Sequence, residues 1–267
     1  MNNIEKAFQK GKAFIAFITC GDPDLETTAA AIRQAAANGA DMIELGIPFS
    51  DPTAEGTVIQ AANLRALKGG VTTDKIFAMV EELRHDVKIP LLFMTYANVI
   101  FSYGTDKFIE RCSIVGIDGL IVPDLPYEEK EEFQPACSKY GVKLISLVAP
   151  TSADRIAMIT KEAEGFIYIV SSLGVTGTRQ VITTKLEQIV EAVRSNTLIP
   201  CAIGFGIAEP AQARNIAAIA DGVIVGSAIV KFLAEYGQAA PPYIGEYVLS
   251  MKKAINGCSC WVNAYWA

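Results

Sequence analysis

Three sets of residues in this chain have types and spacing that suit catalysis. The first is Glu44, the one charged residue in the otherwise apolar stretch Met42-Ile43-Glu44-Leu45. A carboxylate partly removed from water is held in its neutral form to higher pH, so it can donate and accept protons near neutrality. A structural carboxylate paired with a buried Arg or Lys is the other use of such a residue. The second set is the loop that follows, Gly46 to Gly56, which carries Asp51 and Glu55 and is stiffened by Pro48 and Pro52. It is able to bring Asp51 or Glu55 back towards Glu44, although Asp51 serves equally as a turn former and Glu55 as a solvated loop acid. The third is a series of glycine-rich turns, Gly174-Val175-Thr176-Gly177, Gly204-Phe205-Gly206 and Gly226-Ser227. Such turns let backbone N–H groups approach an anion, and Ser227 opens a helix whose first amides favour a phosphate. No lysine lies within these turns, so amides and hydroxyls would bind it.

Other residue types exclude chemistry. The single histidine, His85, falls in the helical stretch Thr73–Asp86 and is expected to face solvent. One histidine leaves no His-rich metal site, and no metal is expected. Of six cysteines, Cys20, Cys112, Cys137 and Cys201 sit singly in apolar or helical surroundings and read as small buried hydrophobes. Cys258 and Cys260 form a C-x-C with no second pair near it, too little for a metal or redox site.

The elements that must position these groups recur as one unit: short apolar strand, turn-rich loop, amphipathic helix. Strands are expected at Ala13–Thr19, Asp41–Leu45, Pro90–Thr95, Gly119–Val122, Lys143–Val148, Gly165–Val170, Pro200–Ile203 and Gly222–Val225. Helices are expected at Leu25–Asn38, Thr73–Asp86, Thr105–Val115, Glu128–Tyr140, Ala153–Glu162, Thr184–Ser195 and Pro210–Ile219, with a final one opening at Ser227. An extra helix at the N-terminus and another over Thr57–Leu67, inside the loop after the second strand, complete the set. Asn38-Gly39 and Tyr140-Gly141 read as helix ends, and Thr105-Asp106 and Ser152 as N-caps. Strict alternation implies parallel strands regained by right-handed crossovers. Eight units in 267 residues fit one α/β domain, a single (β/α)8 TIM barrel over residues 1–256. In that fold catalytic groups stand at the C-terminal ends of the strands, where all three sets fall. Phe17, Tyr96, Tyr168 and Phe205 also gather there and could line a slot for a flat ring.

The net charge of −6 shows no basic stripe of the kind nucleic-acid binders carry. The N-terminus has no signal-peptide h-region, and the apolar runs are strand-sized, so a cytoplasmic protein is expected.

Several of these segments resemble the tryptophan synthase α subunit family: Glu44 to Pro52, Met94-Thr95-Tyr96-Ala97-Asn98, Asp118 to Pro126, Leu147-Val148-Ala149-Pro150-Thr151, Gly174 to Gly177, Gly204 to Ile207 and Gly226 to Lys231. The similarity runs from about Ile4 to Asn256. The resemblance implies a lyase that cleaves indole-3-glycerol phosphate to indole and glyceraldehyde 3-phosphate, in tryptophan biosynthesis. It implies an αββα complex in which a β subunit carries pyridoxal phosphate while this chain needs no cofactor of its own. By position, Glu44 matches the family's general acid–base, Glu55 its second acid, and Tyr168 the tyrosine near the acid–base glutamate. Thr176 matches the threonine that positions the second acid. Gly177, Gly206, Gly226 and Ser227 match the phosphate cradle, and Phe17, Ile59, Tyr96, Ile121 and Phe205 the indole pocket.

One departure stands out: the family usually has Asp in Ala-Asp-Gly-Pro, whereas this chain reads Ala54-Glu55-Gly56-Thr57. The extra methylene adds about 1.5 Å of reach, and active sites are sensitive to displacements of ~1 Å. A working enzyme with a shifted loop is expected. The alternative is a weakened barrel that acts mainly as an activator of the β subunit. The tail from Gly257 to Ala267 lies outside the resemblance and has no assigned role.

Overall fold

The computed structural model describes residues 3–150, 153–170, 179–204 and 206–257. Its strands are β1 (Ala13–Thr19), β2 (Met42–Gly46), β3 (Leu91–Met94), β4 (Gly119–Ile121), β5 (Lys143–Leu144), β6 (Ser146–Val148), β7 (Ile167–Val170), β8 (Cys201–Gly204) and β9 (Gly222–Val225). All pair in parallel, in the order β5-β4-β3-β2-β1-β9-β8-β7-β6. The two ends of that order, β5 and β6, are consecutive in the chain with only Ile145 between them. The lower half of one run thus pairs with β4 and its upper half with β7, which closes the sheet into a (β/α)8 barrel. The single strand expected at Lys143–Val148 is therefore broken at Ile145, whose N–H bonds to Leu120 O.

The helices are α1 (Asn3–Ala7), α2 (Leu25–Ala37), α3 (Thr57–Lys68), α4 (Thr73–Leu83), α5 (Ala97–Tyr103), α6 (Thr105–Ile114), α7 (Gln134–Tyr140), α8 (Ala153–Lys161), α9 (Arg179–Arg194), α10 (Pro210–Ile219), α11 (Ser227–Tyr236) and α12 (Ala240–Ile255). The extra N-terminal helix and the extra helix after β2 are both present. Gly39 and Gly141 follow the ends of α2 and α7 with positive φ, the left-handed geometry that glycine adopts without a Cβ clash.

Four expectations need correction. Thr105 is not an N-cap: Gly104 takes that position without a side-chain bond, and Thr105 is the first helical residue. The helix expected at Glu128–Tyr140 is a 3-10 segment, Tyr127–Glu132, followed by α7, because Pro135 lacks a donor and fits only the first turn of a new helix. α9 begins five residues earlier than expected. α4 ends at Leu83, so His85 lies in the turn beyond it, exposed as expected. Ser152 lies outside the described residues.

Side chains alternate across the strands. Phe14, Ala16 and Ile18 of β1, and Ile43 and Leu45 of β2, face the surrounding helices in one large core. Cys20, Cys112, Cys137 and Cys201 are buried in the same core as free thiols. The alternate positions fill the interior: Ile15, Met42, Leu92, Ile121, Ile145, Phe166, Tyr168, Ala202 and Ile224 form one cluster. Ile4 and Ala7 of α1 belong to that cluster and plug the barrel from its N-terminal face. Asn3 Nδ2 donates to Asp118 Oδ1 at 3.0 Å and pins α1 to the base.

Candidate active site

The alternation that sends Met42 inward sends Glu44 inward too, one layer nearer the C-terminal ends of the strands. Its Cα partners are Phe17 on β1 and Leu92 on β3, so its neighbours along the ladder are apolar. Glu44 has no exposed surface, and neither carboxylate oxygen has a hydrogen-bond partner among the described residues. The salt-bridged alternative is therefore not what this carboxylate does. Burial alone pushes its pKa up to about 8. Two more buried groups share this lack of a partner, the hydroxyls of Thr19 at the end of β1 and Thr95 just beyond β3.

Tyr168 of β7 is nearly buried in the interior cluster, and the charge of Glu44 adds to burial in raising its pKa well above 10. It fits because β8 ends in a glycine: a Cβ on Gly204 would lie 2.6 Å from the Tyr168 hydroxyl. Gly46 does the same for Phe17, where a Cβ would fall 2.5 Å from the ring tip. Small residues in one strand make room for rings from its neighbour.

Glu55 is half-buried at the entrance to α3. Its Oε2 accepts from Asn63 Nδ2 at 2.7 Å, and its backbone carbonyl from Gln60 Nε2 at 2.8 Å. Desolvation raises its pKa, and the Asn63 bond works in the opposite direction. Next to it, Ala54 N–H donates to the Tyr96 hydroxyl at 3.0 Å, and the Tyr96 ring lies 5.2 Å from that of Phe49. Asp51 is exposed and its carboxylate accepts from Ser50 Oγ.

α3 lies against the mouth: Val58, Ile59 and Ala62 pack with Phe17, Val230 and Met94. Met94 also touches the lower interior cluster that holds Ile121 and Tyr168. The structure thus brings Phe17 and Ile59 together, with Ile121 one cluster deeper. Gly226 is the N-cap of α11 and Ser227 its exposed first residue, while Gly206 is an exposed glycine at φ 72. Thr176, Gly177 and Phe205 lie outside the described residues.

Asn63 escaped the sequence reading, and Gly46 and Gly204, read there only as loop glycines, also make room for rings. Asn63 had a signal: it occupies a buried position on the α3 face that also buries Ala62 and Ala66. A polar side chain on an apolar stripe asks for a buried partner.

One fully desolvated carboxylate and a second half-buried one at the mouth of a parallel (β/α)8 barrel form a candidate acid–base site, in the place where enzymes of this fold carry theirs. The model of the family "Tryptophan synthase alpha chain" matches residues 4–254. A tryptophan synthase alpha chain from Lacticaseibacillus casei is 46% identical over 256 residues, covering 96% of each chain. Among solved structures, tryptophan synthase subunit alpha from Legionella pneumophila superposes with a TM-score of 0.88 at 37% identity, covering 96% of this chain and 99% of that one. A chain of tryptophan synthase from M. tuberculosis, in its aminoacrylate- and BRD0059-bound form, gives 0.85 at 31% identity, covering 95% and 98%. The chain belongs to the tryptophan synthase alpha chain family, the lyase component of tryptophan synthase.

Proposed function

We propose that this chain cleaves indole-3-glycerol phosphate, as the family's alpha subunit does, and that Glu44 moves the protons. The observation that carries this reading is the Glu44 carboxyl: buried, unpartnered and raised to about 8. At neutral pH it is largely protonated, so it is ready to give a proton to C3 of the indole ring. The carboxylate formed then removes the glyceryl hydroxyl proton as the C–C bond breaks. Protonation at C3 places positive charge on the ring, and Glu55, near the mouth, stabilises or receives the N1 proton. Tyr168, coupled to Glu44 by charge, stays neutral throughout and keeps the surroundings of the carboxyl dry.

Phe17 and Ile59 flank the ring on the α3 side, Ile121 lies below it, and Tyr96 and Phe205 complete the pocket. Gly206, Gly226 and Ser227, with Gly177, supply amides and a hydroxyl to the phosphate, in the manner of a helix N-terminus. Thr176 positions the second acid. The chemistry assigned to these residues is proton transfer, and this chain carries it without a cofactor of its own. The partner is the β subunit. No helix among the described residues is long and apolar enough to cross a membrane, which fits the cytoplasmic location proposed for the complex.

The test is Glu44→Gln, assayed as indole release with and without β subunit. General acid–base groups contribute roughly 10²- to 10⁴-fold. Turnover is expected to fall by about that factor while substrate affinity is retained. Normal turnover would remove Glu44 from the mechanism. Indole formation by the unmodified chain, alone or with β subunit, separates a lyase from a barrel that only activates its partner.

A further inference from the structure

We propose that Asn63 is a positioning residue for Glu55: it holds the longer acid's carboxylate and so decides where that charge meets the substrate. This rests on the reading of Glu55 as the second acid.

The argument starts from what fixes residue 55. Its backbone carbonyl is bonded by Gln60 at 2.8 Å and its carboxylate by Asn63 at 2.7 Å. Gln60 and Asn63 are three apart on α3 and therefore share one face of the helix. The residue before it, Ala54, is tied through its N–H to Tyr96, just beyond the adjacent strand β3. With the main chain held at both flanks, the remaining freedom is in the Glu55 side chain, and among the described residues Asn63 is the side chain bonded to it.

Asn63 is placed to do this rigidly. It is 3% exposed, and the residues flanking its face, Ala62 and Ala66, are buried and small. An amide shut away from water in such a setting keeps its hydrogen bond, because water is not at hand to replace it. The helix carrying it is anchored in turn: Arg65 donates to both carboxylate oxygens of the buried Asp22, at 2.8 and 2.7 Å. A shorter Asp at position 55 would draw the carboxylate back from the amide by one methylene unless the loop shifted with it.

A positioning role and a merely structural one are separated by a double-mutant cycle on the complex with β subunit, using Asn63→Ala, Glu55→Gln and the pair. Asn63→Ala is expected to lower kcat by about ten- to a hundredfold, the range of a hydrogen bond to a charged group, with little change in KM. In the Glu55→Gln background the same change should cost nothing further. The acid limb of the pH–rate profile should move to higher pH in Asn63→Ala, because the bond that favours ionised Glu55 is gone while desolvation stays. The other titratable groups near this site, Tyr96 and Asp124, are unchanged by the substitution, and Tyr96, at about 12, stays neutral. Asn63→Asp, nearly isosteric, guards against misfolding; it should move the limb in the same direction, with melting temperature as the folding control. Equal losses from Asn63→Ala in both backgrounds, or no loss in either, would overturn the proposal while leaving Glu55 in its role. Full activity of Glu55→Gln would overturn that role and the proposal with it.

Discussion

Phe17 and Glu44 are Cα partners across the parallel ladder of β1 and β2, so a ring and a carboxylate occupy one interior layer. The ring leans into the space left by Gly46, one layer further up. The carboxylate is walled by apolar groups yet lies where the barrel opens. That combination favours a protonated Glu44 at a pH where an ordinary glutamate is ionised.

The first consequence is kinetic. If the reaction begins with protonated Glu44, kcat/KM must fall as pH rises through its folded pKa. The alkaline limb is expected at about pH 8. The acid limb, set by Glu55, is expected above the usual carboxylate value, in the direction its desolvation dictates. A profile of indole release against pH checks both; an alkaline limb that persists unchanged in Glu44→Asp at residual activity would assign it to another group.

The same carboxyl costs stability. Its pKa is raised on folding, so the folded state binds the proton more tightly than the unfolded one. Any favourable contribution is fully present below about pH 4.5 and is lost as pH rises to about 8. Glu44→Gln should therefore be more stable than the parent at neutral pH. The gap should widen between pH 4.5 and 8, towards something on the order of 4 kcal/mol. Thermal melting of both proteins across that range measures it; a gap that does not change with pH would mean that Glu44 is solvated.

Gly204 makes room for Tyr168. An added methyl would meet the hydroxyl at 2.6 Å and the ring carbon bearing it at 2.9 Å, so the ring must move. Gly204→Ala is expected to cost about 1–3 kcal/mol, the usual range for overpacking, and to lower kcat by disturbing the wall beside Glu44. Combining it with Tyr168→Phe should restore part of the stability, because only the closer of those two contacts is removed. Additive losses in urea melts would rule out this contact as the cause.

The barrel was legible because its strands and helices alternate in hydrophobic period, and β1 and β9 begin and end where expected. Short or oddly started helices were not. α5 spans seven residues and is opened by Tyr96 with no capping side chain. α12 begins Ala240-Pro241-Pro242, which reads as a break although proline suits a first turn. Glu44 was visible as a charge on an apolar strand, whereas its missing partner was not, since only the packed interior decides what a buried carboxylate meets. Glu55 was singled out by its place in a motif. The amide that holds it comes from a helix eight residues on and required the fold.

α1 has a consequence for traffic. With Ile4 and Ala7 packed into the interior cluster and Asn3 tied to Asp118, the barrel is a cup rather than a tube. Among the described residues, that leaves the rim formed by the strand ends, beside α3, as the open face of the barrel. A partner that takes product directly is therefore expected to dock over that rim.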